Sequence, residues 1–210
     1  MDNFTFYSPT YFVFGKETEK ETGKYVKKYG GTKVLIHYGG GSAVRSGLIA
    51  RIEASLDAEG IGYVELGGVK ASPHADLIYK GIDLAKKEKV DFILAVGGGS
   101  VMDSAKGIAL GVPYDGAYQV IHQTSSLPAV CGPVTEALPV GCVVTIAASG
   151  SEGSTDSVVT LDTEDGHEYK RCADGDILRP LFAIMNPELM MTLPPYQTAS
   201  GISDIMAHCM

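Results

Sequence analysis

The sequence predicts an α/β fold, a parallel β-sheet covered by helices on both faces. Three observations carry this. Short apolar runs of strand length alternate with helical patterns. The runs are continuously apolar, as strands buried on both faces are. Two of them end in the same tetrapeptide, Gly-Gly-Gly-Ser, at residues 39–42 and 97–100.

The elements follow in order. Phe4 and Phe6 precede Ser8-Pro9, and Phe12 and Phe14 follow it. Aromatics at a period of two around a turn predict an N-terminal β-hairpin. Residues 33–38 form the next strand and lead into Gly39-Gly40-Gly41-Ser42. A helix comes next, with Leu48, Ile49, Ile52 and Leu56 on one face, and stops at Gly60. Residues 63–66 make a short strand. A second helix spans about 74–89, with Leu77, Ile78, Ile82, Leu84 and Ala85 apolar. Residues 91–96 are a buried-type strand, and a third helix carries residues 101–110. The stretch 111–139 is rich in Pro and Gly and reads as loop. Strands are predicted at 139–148 and 181–185, with a hairpin between them over 158–172. After Pro194-Pro195 a helix begins near Thr198 and still runs at Met210. No Gly, Asn or Pro stop signal closes it, so a second domain is expected to follow.

Composition narrows the function. The 210 residues are 45% apolar and 20% charged, which excludes a disordered tail, a collagen-like rod and a disulfide-stapled miniprotein. The net charge of −8, with no basic run, argues against nucleic acid and anionic membrane as partners. The opening residues lack the basic start and apolar run of a signal peptide. No apolar stretch reaches the ~18 residues of a membrane span. Cys131, Cys142, Cys172 and Cys209 form no C-x-x-C pair, so neither a zinc knuckle nor a thiol redox motif is indicated. Buried, reduced thiols and a cytoplasmic location are expected.

Glycine turns at the carboxyl ends of parallel strands mark ligand sites. Without Cβ atoms, successive N–H groups point at an anion, and the following helix adds its positive end. Gly97, Gly98, Gly99 and Ser100 thus form a candidate pyrophosphate cradle. Lys106 is placed to neutralise phosphate, and Asp103 to order the loop or touch bound substrate. A bare strand-to-helix turn is the alternative, because the G-x-G-x-x-G fingerprint is absent. Beside Gly39, Gly40 and Ser42 there is no carboxylate to repel a ribose 2′-phosphate, so NADP(H) is expected over NAD(H). Here too a bare turn, with Arg45 solvated, is the alternative. Thr145 to Glu152 offers small hydroxyl residues for a phosphate or nicotinamide pocket, without the spacing of a serine nucleophile elbow.

Asp204 and His208 stand four apart. On a helix that is about 400°, so the two side chains project within roughly 40° of each other. Such a pair shares a metal, with mixed oxygen and nitrogen donors suiting Fe(II), Zn or Mn, or else is a surface pair. His37 and His122 read as pocket lining or satisfied polar groups, His74 as a helix start and His167 as part of the hairpin.

Taken together these motifs resemble the iron-containing (group III) alcohol dehydrogenases, in particular the NADPH-dependent, butanol dehydrogenase-like branch. The resemblance rests on Tyr38 to Ser42, Ala95 to Lys106, Ala147 to Glu152, Leu193-Pro194-Pro195 and Gly201 to His208, in that order. It implies a Rossmann-like dinucleotide-binding domain over 1–190 and, over 191–210, the beginning of an all-helical metal-binding domain. It implies cofactor phosphates at Gly97 to Ser100 and the 2′-phosphate near Gly39, Gly40 and Ser42. Thr145 and Ser151 would lie near the cofactor, and Lys170 would reach its ribose. Asp204 and His208 would be two of four metal ligands, an Asp and three His, for Fe2+ or alternatively Zn2+. The implied reaction moves a hydride between NADP(H) and a small alcohol or aldehyde, in a homodimer when full length. Ala71-Ser72-Pro73 and Asn186-Pro187 depart from the family's Asn-Pro and Asp-Pro. The chain is also short of the family's helical half, so tight metal binding by these residues alone is not expected. A glycerol dehydrogenase or dehydroquinate synthase relative, and a non-catalytic nucleotide-binding module, remain alternatives.

Overall fold

The computed structural model describes residues 3–114, 135–162 and 165–210. In chain order the elements are β1 (Tyr11–Phe14), α1 (Thr22–Lys28), β2 (Lys33–Tyr38), α2 (Ser42–Arg45), α3 (Leu48–Ala58), β3 (Gly62–Leu66), α4 (Ala75–Glu88), β4 (Phe92–Gly97) and α5 (Gly99–Gly111). Then follow β5 (Val140–Val144), β6 (Asp156–Asp162), β7 (Glu168–Asp174), β8 (Phe182–Met185) and α6 (Pro195–Cys209). Six strands form one parallel sheet in the order β1-β8-β5-β4-β2-β3. β6 and β7 form a separate antiparallel hairpin.

The continuously apolar strands are explained by cover on both faces. Within β2, Val34 and Ile36 face the α1 and α3 side, packed with Val26, Ile49, Ile52 and Leu56. Leu35, between them, faces the α4 and α5 side with Ile78, Ile82, Met102 and Ile108. Each such fully buried aliphatic side chain contributes about 1.5–3 kcal/mol. α5 is buried almost all round because β6 lies across its outer side while the sheet takes its inner side.

Two expectations are corrected. There is no N-terminal β-hairpin among the described residues. Phe4 and Phe6 lie in no strand and are 78% and 82% exposed, while Phe12 and Phe14 belong to β1, which pairs in parallel with β8. The edge of β8 offers main-chain partners, and the Thr10 hydroxyl adds a 2.8 Å bond to the Pro180 carbonyl. The earlier aromatics have no such surface to pair with. α1 lies in a stretch for which the sequence carries no expectation above, and Gly23 sits in its first turn. The glycine is required there, since a Cβ would lie 2.1 Å from the Ser55 carbonyl oxygen. Second, among the described residues buried thiols hold for Cys142 alone, whose pKa burial pushes up to about 12. Cys172 is half-buried and Cys209 exposed. Cys131 and His122 lie outside the described residues. The hairpin, the central strands and the helices after both glycine turns form as expected, α6 starting at Pro195, a residue suited to a first helical turn.

Candidate coenzyme and metal site

β2 is flanked by β3 on one side and β4 on the other, so the chain changes direction across the sheet between β2 and β4. A crevice opens at the carboxyl ends of strands at such a switch. Tyr38 pairs with Val96, and Gly97 with Val144, which brings the exits of β2, β4 and β5 into one row. The Thr145 N–H donates to the Gly97 carbonyl at 3.0 Å, closing the row. Gly39 and Gly97 both approach Val101 from their own turns. α5 starts at Gly99 with no side chain capping it, so its first N–H groups and positive end face the crevice. A Cβ on Gly98 would lie 2.4 Å from Ile146, which explains glycine there.

A cavity of about 570 Å³ begins at this helix end. It is lined by Gly99, Ser100 and Asp103 from α5, by Ser149, Ser151 and Ser154 from the loop after β5, by Asp156 and Val158 of β6, and by Asp204 and His208 of α6. The structure therefore brings Gly99, Ser100, Asp103, Ser151, Asp204 and His208 around one space. Gly97, Gly98 and Thr145 stand on the strand exits behind it. Gly39, Gly40 and Ser42 occupy the neighbouring turn, where the Gly68 N–H donates to the Gly39 carbonyl at 2.8 Å. Lys170 is exposed on β7 opposite Thr160 and is not among the lining residues.

Asp204 Oδ1 and His208 Nε2 are 3.8 Å apart and both remain accessible. Two donors on one tetrahedral ion stand about 3.4 Å apart, so a small side-chain adjustment lets them share a metal. They fit half of a site. Among the described residues no cluster of three or more His, Cys, Asp or Glu side chains could hold a metal ion. α6 reaches this place through Gly201, its buried residue, where a Cβ would lie 2.5 Å from the Ala147 carbonyl oxygen.

Burial raises the Asp103 carboxyl to about 6, against the opposing pull of Lys106, the Val158 N–H and the Ser151 hydroxyl. Lys106 itself is a correction. It is wholly buried beneath the loop and bonds to Ser151, Ser154 and Asp156, so it does not face a phosphate at the end of α5. The hairpin covering α5 turns that side chain inward. Burial pulls its pKa below the usual lysine value, while Cys142, Asp103, Asp156 and Glu152 pull it up. His37 is satisfied on both ring nitrogens, as expected. His74 precedes α4 and pairs with Asp162 at 2.8 Å, and His167 lies beside the hairpin turn. Ser149 lies in the hydroxyl-rich segment expected to line a pocket, whereas Ser154, Asp156 and Val158 carry no motif and reach the cavity only through the fold. A glycine inside a helix, costing about 1 kcal/mol against alanine, is the signal that marks Gly201.

The model of the iron-containing alcohol dehydrogenase family matches residues 9–187. The chain belongs to that family. Among curated relatives, the probable NADH-dependent butanol dehydrogenase 2 of Bacillus subtilis is 41% identical over 210 residues, covering 99% of this chain and 51% of that protein. The NADPH-dependent aldehyde reductase YqhD of Escherichia coli is 34% identical, again over 99% of this chain and 51% of that protein. The crystal structure of NADH-dependent butanol dehydrogenase A from Thermotoga maritima matches with a TM-score of 0.90 at 37% identity, over 99% of this chain and 50% of that one. The chain spans about half the length of the curated relatives it matches. No helix among the described residues is long and apolar enough to cross a membrane.

Proposed function

We propose that the protein carrying this chain is a metal-dependent alcohol dehydrogenase and aldehyde reductase, moving a hydride between NADP(H) and a small alcohol or aldehyde. The observation that carries this reading is the shared cavity: the uncapped start of α5 and the Asp204–His208 pair open onto the same space. Residues 1–190 act as the dinucleotide-binding domain, and 191–210 begin a helical metal-binding domain.

In this reading Gly97, Gly98, Gly99 and Ser100 hold the coenzyme pyrophosphate with main-chain N–H groups and the helix end. Gly39, Gly40 and Ser42 receive the 2′-phosphate, in a turn that carries no carboxylate and has the Arg45 guanidinium folded against Gly41. Thr145, Ser151 and Asp103 orient the coenzyme from the β5 and α5 side, and Lys170 approaches the ribose from β7. Asp204 and His208 supply two ligands to Fe2+ or Zn2+, with the remaining ligands from outside the described residues. When bound, the nicotinamide carries the hydride and the cation polarises the substrate oxygen. The chain's own contribution is to bind and orient both groups beside one cavity. The relatives include both NADH- and NADPH-dependent enzymes by name, and the absent carboxylate at residues 39–42 favours NADP(H) here. A cytoplasmic homodimer is the proposed working form of the intact protein, which sedimentation tests.

Titration of the protein with NADP(H) and NAD(H), followed by nicotinamide fluorescence, tests the coenzyme assignment. Tighter NADP(H) binding is expected, and equal or stronger NAD(H) binding overturns it. In the intact protein, Asp204→Ala and His208→Ala are each expected to abolish bound metal and turnover together. Metal retained in either variant removes that residue from the ligand set.

A further inference from the structure

Lys106 lies on α5, with no exposed surface, under the loop between β5 and β6. Its Nζ donates to the carbonyl oxygens of Ser151 at 2.9 Å, Ser154 at 3.0 Å and Asp156 at 2.9 Å, and meets the Ser154 hydroxyl at 3.0 Å. No carboxylate is among these partners. Three carbonyls and a hydroxyl converging on one positive centre are the kind of oxygen shell that backbone carbonyls offer a monovalent metal cation. An ammonium brings three N–H groups to these four oxygens, whereas a neutral amine would turn its lone pair toward one of them.

The loop needs such a centre. Residues 151–155 form no strand, and their buried carbonyls require donors. Besides Lys106, the Gly153 N–H closes a turn on the Gly150 carbonyl, and Arg179 donates to the Gly153 carbonyl. The loop presents Ser149, Ser151 and Ser154 to the cavity that Asp204 and His208 share. The helix carrying Lys106 also carries Gly99 and Ser100 at its start, so cradle and tether belong to one rigid element.

We propose that Lys106 is a positioning residue, a tethered monovalent cation whose ammonium fixes the 149–156 loop against α5 and so shapes the coenzyme and metal cavity. Its link to the coenzyme rests on the function proposed above; its link to the loop does not.

Amide hydrogen exchange and NADP(H) affinity, measured together on the full chain, test this. Lys106→Met keeps the bulk and removes the charge. Exchange over residues 149–156 is expected to rise about tenfold or more, with β4 unchanged and the NADP(H) Kd raised by a similar factor. Lys106→Ala leaves the oxygen socket empty, and added propylammonium is expected to restore both readings. Tetramethylammonium, which has no N–H, restores neither. Should both variants fail to fold, Ser154→Ala removes the hydroxyl alone and is expected to raise exchange in the loop by a smaller factor. Unchanged loop exchange in Lys106→Met or in Ser154→Ala overturns the tether. Faster loop exchange with an unchanged Kd overturns its role at the cavity. Faster loop exchange in a protein whose parent form binds no NADP(H) supports the tether and overturns the coenzyme reading instead.

Discussion

His37 Nε2 lies 2.8 Å from Ser104 Oγ, and His37 Nδ1 lies 2.8 Å from the Leu66 carbonyl oxygen. One buried ring therefore ties β2, β3 and α5 together beneath both glycine turns. The carbonyl only accepts, so Nδ1 carries the proton and Nε2 accepts from the serine hydroxyl. The ring is neutral, and burial holds its pKa down at about 4, with the Leu66 bond pulling the other way.

That depression predicts acid sensitivity. The folded pKa lies below the ordinary 6.5, so the unfolded chain takes up the proton first. The contribution is complete above pH 6.5 and is lost as pH falls toward 4, by about 3 kcal/mol at most. Urea unfolding at several pH values measures it. His37→Gln, which does not titrate, is expected to lose this part of the acid slope; an identical slope in that variant contradicts the assignment.

Asp103 predicts the opposite slope. Its folded pKa of about 6 exceeds the ordinary 3.8, so the folded state keeps a proton that the unfolded chain releases. Stability from this group is present at low pH and falls as pH rises from 3.8 to 6. Asp103→Asn is expected to stabilise the fold above pH 6 by about 1–3 kcal/mol, and to give no gain below pH 3.8. A variant less stable than the parent at neutral pH shows that the carboxylate is worth more to its Ser151 and Val158 partners than its burial costs.

Gly39 has ordinary contacts at the Cβ position, with Val101 at 3.6 Å and the Val69 carbonyl at 3.7 Å, so an acid fits there. Gly39→Asp is expected to weaken NADP(H) binding about tenfold or more relative to NAD(H), through repulsion of the 2′-phosphate. Competitive titration of the two coenzymes reads the ratio, and an unchanged ratio places the ribose elsewhere.

Gly201 has no such room. Gly201→Val is expected to push α6 off the Ala147 carbonyl, costing about 1–3 kcal/mol and weakening metal binding in the intact protein while the sheet stays folded. Calorimetry with Fe2+ or Zn2+ titration checks both. Unchanged metal affinity would mean that α6 positions Asp204 and His208 without this contact.

Much of the fold was legible because local chemistry and global architecture agree. Residues 34–36 and 92–96 are apolar at every step, as a parallel strand covered on both faces requires, and each strand leads into glycines that precede a helix. The helical spacing of Asp204 and His208 survives intact in α6. The Phe4 to Phe14 segment misled because a period-two pattern specifies a strand but not its partner, and β8, about 170 residues away, supplied one.

Local sequence thus determined where the strands run, where the glycine turns fall and that two metal-type donors share a helix face, since these depend on backbone propensity and spacing alone. Tertiary structure decided what those parts meet. It turned Lys106 inward as an anchor for buried carbonyls, brought Ser104 under His37, and set α6 against Ala147 so that Asp204 and His208 open on the start of α5. Those outcomes depend on which surfaces exclude water from one another, a property of residues far apart in the chain.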